Sequence, residues 1–208
     1  MRKARRTGGQ NMFQHKATQA ARAARLALTC LLVLSAAMAL VWYGTQLLEA
    51  RRSTAELESQ WRGGLTVSVH ANPQPGDVVG RIAVPRLGLD TPMVEMADVD
   101  HMENLNKGPA HIAGTALPGA AGNCVIAGHR TTHSKPFLHL DTLAAGDEVL
   151  LTDLGGIRHR YLVTGSEVVD PDDVRVMDPT PQPSLTLIAC HPPFSARYRL
   201  VVKAALAQ

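Results

Sequence analysis

The chain has 208 residues, a formal net charge of +3 and a pI near 8.9. This length allows one domain of about 130 residues plus an N-terminal extension. The positive charge is too small to indicate nucleic-acid binding, and no pair among the three cysteines suggests a disulfide.

The N-terminal segment, residues 1–25, contains seven basic residues and no acidic residue. A disordered basic tail would have the same composition. However, basic residues directly before an apolar run are typical of a topology signal. We therefore expect residues 1–25 to form a cytoplasmic tail.

Residues 26–48 are 23 consecutive residues without a charge. A helix of this length extends about 34 Å, enough to cross a bilayer core of about 30 Å. Trp42 and Tyr43 suit the far interface of such a helix. Small residues between Ser35 and Ala39 would also allow cleavage as a signal peptide. Because the run stays apolar beyond them, we predict an uncleaved signal anchor that places the rest of the chain outside the cytoplasm.

Residues 49–76 are predicted to form a stalk and a linker. Glu49 to Arg62 favours a helix, and Gly63-Gly64 interrupts it. Pro73 and Pro75 indicate an irregular linker over residues 65–77.

The remaining residues, 77–208, alternate short apolar and β-branched runs with turns. Gly155-Gly156 predicts a hairpin turn, and Asp98 to Lys107 predicts a short helix. The pattern indicates a closed all-β domain. Seven or eight short strands are predicted, and seven of them lie over residues 78–84, 91–96, 123–128, 148–152, 158–167, 185–189 and 200–202.

Two of these strands lead into side chains that can perform chemistry. The strand over residues 185–189 ends on Cys190, before Pro192-Pro193, and a hairpin return to residue 200 would bring Arg199 beside Cys190. The strand over residues 123–128 leads into His129, and a Cys with a His elsewhere in the chain is a candidate nucleophile and base. Cys124 points to the opposite face of its strand from His129, so we predict that it belongs to the core. Cys30, in the apolar run, is predicted to be an inert filler.

These segments resemble the sortase family, the membrane-anchored cysteine transpeptidases of bacterial cell surfaces. The resemblance covers roughly residues 77–205 and is greatest to the class E and class D groups. It rests on Thr-Leu-Ile-Ala-Cys at 186–190, Ala-Gly-His-Arg at 127–130 and Arg-Leu-Val-Val at 199–202, with supporting matches at 108–119, 137–147 and 190–197.

The resemblance implies an eight-stranded β-barrel with one or two short helices, preceded by the transmembrane helix. It also implies that Cys190 is the nucleophile, that His129 is the general acid and base, and that Arg199 stabilises the oxyanion. Such an enzyme cleaves a C-terminal LPxTG- or LAxTG-like sorting signal of a secreted protein between Thr and Gly. It transfers the protein to an amine of a peptidoglycan precursor or cross-bridge and needs no cofactor.

The positions that depart from the family pattern are candidate substrate-binding residues. Ala189 stands where the family usually has Thr, and Ile112 stands where class E members commonly have an aromatic residue, so Pro and Ala both remain open at the second position of the sorting motif. His191 is included because it adjoins the nucleophile. Arg197 is the rival of Arg199 for the arginine role.

We predict no metal site, because the acidic stretch 170–173 lacks the glycine and glutamate spacing of a calcium loop.

Two other functions fit parts of the sequence. An LD-transpeptidase also uses Cys and His, but its nucleophile follows a Ser-His-Gly sequence that is absent here. A catalytically inactive barrel that binds a secreted partner or a wall polymer would differ by lacking an unusually reactive Cys190.

Overall fold

The computed structural model describes residues 7–64, 73–97 and 103–207. Three predicted segments lie partly outside these ranges. They are the start of the predicted tail, most of the predicted linker and the first half of the predicted helix at 98–107. The described chain divides into two compact units, residues 1–46 and 47–208.

The N-terminal part of the chain forms one long helix, α1 (Thr7–Gly64). Within it, Arg25–Gly63 has the length and composition to cross a membrane, and its most apolar window has a mean hydropathy of 2.2. Apolar side chains along the predicted span, such as Leu34 and Leu40, are exposed. The predicted apolar helix near the N-terminus is therefore present.

The last turns of α1, from residue 47 onward, belong to the same compact unit as the strands. Leu57 is 1% exposed, and Glu58 pairs with Arg81 at 2.8 Å. The predicted stalk, residues 49–62, thus belongs to the compact unit that contains the strands. One buried leucine in a charged stretch produces no periodic signal, so this packing was not visible in the sequence.

The second unit contains a closed barrel of eight strands, as predicted, in the order β1-β2-β3-β4-β7-β8-β6-β5. The pairs β2·β3 and β4·β7 are parallel, and the others are antiparallel. The strands are β1 (Val78–Val84), β2 (Leu89–Met96), β3 (Ala110–Ile112), β4 (Asn123–Ala127), β5 (Glu148–Thr152), β6 (Arg158–Val169), β7 (Ser184–His191) and β8 (Tyr198–Leu206).

The structure differs from the prediction at several elements. β3 was missed because three residues are too few to show an alternating pattern. Of the predicted helix at 98–107, the described part contains a 3-10 turn at Asn104–Asn106. β7 continues one residue past Cys190, and β8 is longer at both ends than residues 200–202, because pairing with neighbouring strands extends both.

Alternate residues of the strands face two apolar clusters, as the period of two of a strand requires. The larger cluster fills the barrel and includes Cys124, Ile126 and Leu187. The second cluster lies on the outer face of β2, β3 and β4 and includes Leu57, Leu105 and Val125. Strand β4 is thus buried on both faces, which makes it a rigid support for the residue that follows it.

Candidate active site

The ends of β4 and β7 bring His129 and Cys190 together. In the parallel β4·β7 pair, Ala127 lies opposite Ile188, and the Gly128 amide donates to the Ile188 carbonyl at 3.0 Å. His129 and Cys190 each lie two residues further along, so their side chains leave the same face of adjacent strands. Neighbouring strands are about 4.8 Å apart.

The β7·β8 hairpin places the guanidinium beside the thiol. Cys190 and Arg199 are cross-strand partners, and such partners have Cβ atoms about 5 Å apart. Arg199 Nη1 donates to the carbonyls of Ala196 and Tyr198 at 3.0 and 3.2 Å. Arg197 instead lies over the Tyr198 ring, 5.3 Å from its centroid. The register therefore agrees with the choice of Arg199 over Arg197.

These three side chains line one cavity, and so do Ile112 and Ala189. His191 is not among the residues that line it. The cavity lies on the outer face of β4 and β7, next to the second apolar cluster, and not inside the barrel. Its apolar wall is formed by Met96, Leu105, Ile112, Ala127, Ile188 and Ala189.

Cys124 belongs to the core, as expected from its spacing to His129. Its side chain is 1% exposed within the barrel cluster. Burial raises the pKa of the Cys124 thiol far above its ordinary value, and the nearby Glu95 charge raises it further. Cys190, by contrast, is half-buried. Among the cysteines, Cys190 is the one beside the cavity.

Two residues that were not predicted to belong to the site, Asn106 and His133, contact His129. Its Nε2 lies 2.9 Å from Asn106 Oδ1, and an amide oxygen there requires a proton on Nε2, so Nδ1 is the basic nitrogen. The His133 ring stacks on His129 with centroids 4.6 Å apart. Burial lowers the pKa of His129 to about 4, with a further contribution from His133. His129 is therefore neutral at pH 7.

Gly128, the residue before His129, has no room for a side chain. A Cβ at Gly128 would overlap the ring of Phe137, which is fully buried in the barrel cluster. The Phe137 amide also donates to the His129 carbonyl at 3.2 Å. The segment after β4 is thus packed tightly where it carries His129.

Arg130, the last residue of the motif at 127–130, is a buried charged residue beside the site. Its side chain is 2% exposed and pairs with Asp141 at 2.8 Å. Its Nη1 donates to His191 Nδ1 at 2.9 Å. Its position, as a charged residue directly after the candidate base, was the one feature of the sequence that could have indicated a role for Arg130. No sequence signal pointed to Asn106 or His133, which lie 23 residues before and four residues after His129.

The fold and the site together define a closed β-barrel protein that presents a thiol, an imidazole and a guanidinium around one cavity. The family model of the sortase domain matches residues 82–207. The chain belongs to the sortase family.

Two relatives agree with the predicted similarity to classes E and D. The chain is 29% identical over 168 residues to sortase E1 of Streptomyces coelicolor, covering 74% of this chain and 47% of that protein. It is 30% identical over 122 residues to sortase D of Bacillus subtilis, covering 58% of each. The chain therefore spans only about half the length of these relatives.

Solved sortase structures share the fold. The Clostridium perfringens sortase D5 transpeptidase superposes with a TM-score of 0.64 at 25% identity, over 77% of this chain and 99% of that one. Sortase E from Streptomyces avermitilis superposes with a TM-score of 0.57 at 36% identity, over 65% of this chain and 91% of that one.

Proposed function

We propose that this chain is a membrane-anchored cysteine transpeptidase. It cleaves the C-terminal sorting signal of a secreted protein between Thr and Gly and joins the new carboxyl end to an amine of the cell wall. The observation that carries this proposal is the shared register of β4, β7 and β8, which directs Cys190, His129 and Arg199 to one cavity.

The first half of the reaction forms a thioester. Neutral His129 takes the proton of the Cys190 thiol through Nδ1 as the sulfur attacks the Thr carbonyl carbon. The carbonyl oxygen becomes an oxyanion, and Arg199 donates hydrogen bonds to it. His129 then gives its proton to the nitrogen of the departing Gly, the C–N bond breaks, and the thioacyl enzyme remains.

The second half reverses these roles. The incoming amine attacks the thioester carbon and loses a proton to His129, and Arg199 again stabilises the oxyanion. The C–S bond then breaks, His129 returns the proton to the Cys190 sulfur, and the product leaves with a new amide bond. Each side chain ends in its starting state.

The apolar wall suits the side chains of an extended sorting signal. Ile112 and Ala189 both line the cavity and are the candidates for contact with the residue before the scissile Thr or with the second motif residue. His191 stays a weaker candidate, because its Nδ1 accepts from Arg130.

The apolar part of α1 is the anchor in this proposal. Residues 26–48 span the cell membrane once, the basic residues 1–25 stay on the cytoplasmic side, and residues 77–208 form the extracytoplasmic catalytic domain, joined by residues 49–76. The hydropathy of α1 and its basic N-terminal flank support this orientation. Secreted proteins and a peptidoglycan precursor or cross-bridge amine are then the partners.

A peptide panel tests the function. The full chain in detergent micelles is incubated with quenched fluorescent peptides of the form Leu-x-x-Thr-Gly, varied at the second position between Pro and Ala, with and without an added amine. We expect cleavage between Thr and Gly, and mass spectrometry should detect the amide product when the amine is present. If no peptide is cleaved and Cys190 reacts with iodoacetamide no faster than a free thiol, the chain is a binding module instead.

The two arginines of the β7–β8 loop make a matched pair. We expect Arg199→Gln to lower kcat by about 10²–10³, because one oxyanion donor is lost. Arg197→Gln should change kcat by less than about threefold, since Arg197 contacts the Tyr198 ring and does not line the cavity. Steady-state kinetics with the best panel peptide measures both. The assignment is wrong if the Arg197 variant loses more activity than the Arg199 variant.

A further inference from the structure

Arg130 connects the two chain segments that carry the candidate nucleophile and base. It directly follows His129, and its acceptor His191 directly follows Cys190. Nη1 donates to His191 Nδ1 at 2.9 Å, Nη2 pairs with Asp141 Oδ2 at 2.8 Å, and Nε donates to the Leu138 carbonyl at 3.4 Å. The guanidinium therefore joins the end of β4, the segment 138–141 and the end of β7.

The surroundings of Arg130 make this connection rigid. The side chain is only 2% exposed, so water competes little for its donors. A guanidinium is planar and presents its donors in a fixed fork, unlike the single point charge of a lysine. Asp141, which is half-exposed, compensates the charge of the guanidinium and pairs with its Nη2. Because the group is planar, Nη1 is then fixed in the direction of His191.

The hydrogen bond also defines the state of His191. Because a guanidinium is always a donor, Nδ1 of His191 carries a lone pair and not a proton. His191 thus acts towards Arg130 as an acceptor, and its part in the site is to receive this bond. This role agrees with its absence from the residues that line the cavity.

We propose that Arg130 is a positioning residue, whose guanidinium holds the segment carrying His129 and the segment carrying Cys190 at a fixed separation through His191 and Asp141. The proposal rests on the proposed function and deepens it. Proton transfer between a thiol and an imidazole depends steeply on distance, and a displacement of about 1 Å can cost about 10²-fold in rate.

The test measures kinetics of the full chain in detergent micelles with the best panel peptide. We expect Arg130→Gln to lower kcat by about 10- to 100-fold and to change KM by less than about threefold, because orientation is lost while the apolar wall remains. Arg130→Lys, which keeps the charge but loses the fork, should fall between this variant and the wild type.

Arg81 provides the matched control. It is a partly buried arginine, 22% exposed, with two acidic partners, Glu58 at 2.8 Å and Asp90 at 2.6 Å, and it lies on β1, which does not line the cavity. We expect Arg81→Gln to lower the melting temperature and to leave kcat within about threefold of the wild type. If Arg81→Gln lowers kcat as much as Arg130→Gln, Arg130 acts only through stability and the proposal fails.

Variants at His191 test whether this residue accepts the Arg130 hydrogen bond or takes part in acid–base chemistry. They remain informative if Arg130→Gln does not fold. His191→Asn keeps an acceptor near the position of Nδ1, whereas His191→Leu removes it. We expect His191→Leu to lower kcat and His191→Asn to retain clearly more activity than His191→Leu. Adding His191→Leu to Arg130→Gln should cost little more than Arg130→Gln alone, since both remove the same bond. Equal losses for His191→Asn and His191→Leu would overturn the proposal.

A second readout does not need the peptide reaction. The pH profile of Cys190 alkylation by iodoacetamide, followed by peptide mass mapping, reports whether His129 is beside the thiol. We expect Arg130→Gln to shift this profile to that of His129→Gln, and Arg81→Gln to leave it unchanged. A profile unchanged in Arg130→Gln contradicts the positioning role. Absence of peptide cleavage in the wild type would instead contradict the proposed function while this profile still tests Arg130.

Discussion

Replacing Cys190 with alanine is expected to abolish cleavage of the sorting peptide while the barrel stays folded. Without the sulfur there is no thioester, and neither His129 nor Arg199 can replace the nucleophile. Cys190 is half-buried near the end of β7, so losing its thiol creates little cavity. Fluorescent peptide cleavage measures activity, and circular dichroism with thermal unfolding measures the fold.

The other two cysteines are the controls. Cys30→Ala changes an exposed position on α1 and should leave both activity and stability unchanged. Cys124→Ala removes a buried sulfur from the barrel cluster and should lower the melting temperature while cleavage persists. Cleavage retained in Cys190→Ala, or lost in Cys124→Ala with the fold intact, would assign the nucleophile to another residue.

Replacing His129 with glutamine is expected to lower kcat by about 10²–10⁴, the usual contribution of a positioned general acid and base. Glutamine can still donate to Asn106 Oδ1 but cannot take the thiol proton. His159→Gln is a matched control, because His159 pairs with Asp153 at 2.9 Å and does not line the cavity. A His129→Gln variant within tenfold of the wild type would show that the proton moves by another route.

The pH dependence follows from the lowered pKa of His129. Since the imidazole must be neutral to take the thiol proton, the acid limb of kcat/KM should lie near pH 4, the pKa of His129, and not near 6.5. His133→Ala removes the electrostatic contribution of His133 that lowers the pKa of His129, so the acid limb should move to higher pH. An acid limb near pH 6.5 in the wild type would contradict the burial of His129.

The same pKa also affects stability. The unfolded chain takes up the His129 proton near pH 6.5, whereas the folded chain takes it up near pH 4. Between these values the unfolded state binds more protons, so the free energy of unfolding falls as the pH drops. Circular dichroism between pH 4 and 6.5 measures the loss of fold. It thereby distinguishes unfolding from a loss of activity that is caused by protonation of His129.

The strands that hold the candidate site were predictable because their signals are local. β1 and β5 begin and end at the residues predicted from turns and β-branched runs. The pairing of Cys190 with Arg199 was predictable too, because a hairpin with a short loop brings its strand ends together. The contact between β4 and β7 has no such local signal, because it joins parallel strands about 60 residues apart in sequence. Only the resemblance to a family implied that His129 lies near Cys190.

The sequence by itself determined the apolar helix near the N-terminus, the succession of short strands, and the residue types able to act as nucleophile, base and oxyanion donor. Only the tertiary structure decided that Leu57 packs against the barrel, that Asn106 and His133 contact His129, and that Arg130 reaches His191. The physical reason is that strand and helix formation depend on neighbouring residues. A hydrogen bond across 61 residues, as between Arg130 and His191, forms only when the closed barrel brings both ends together.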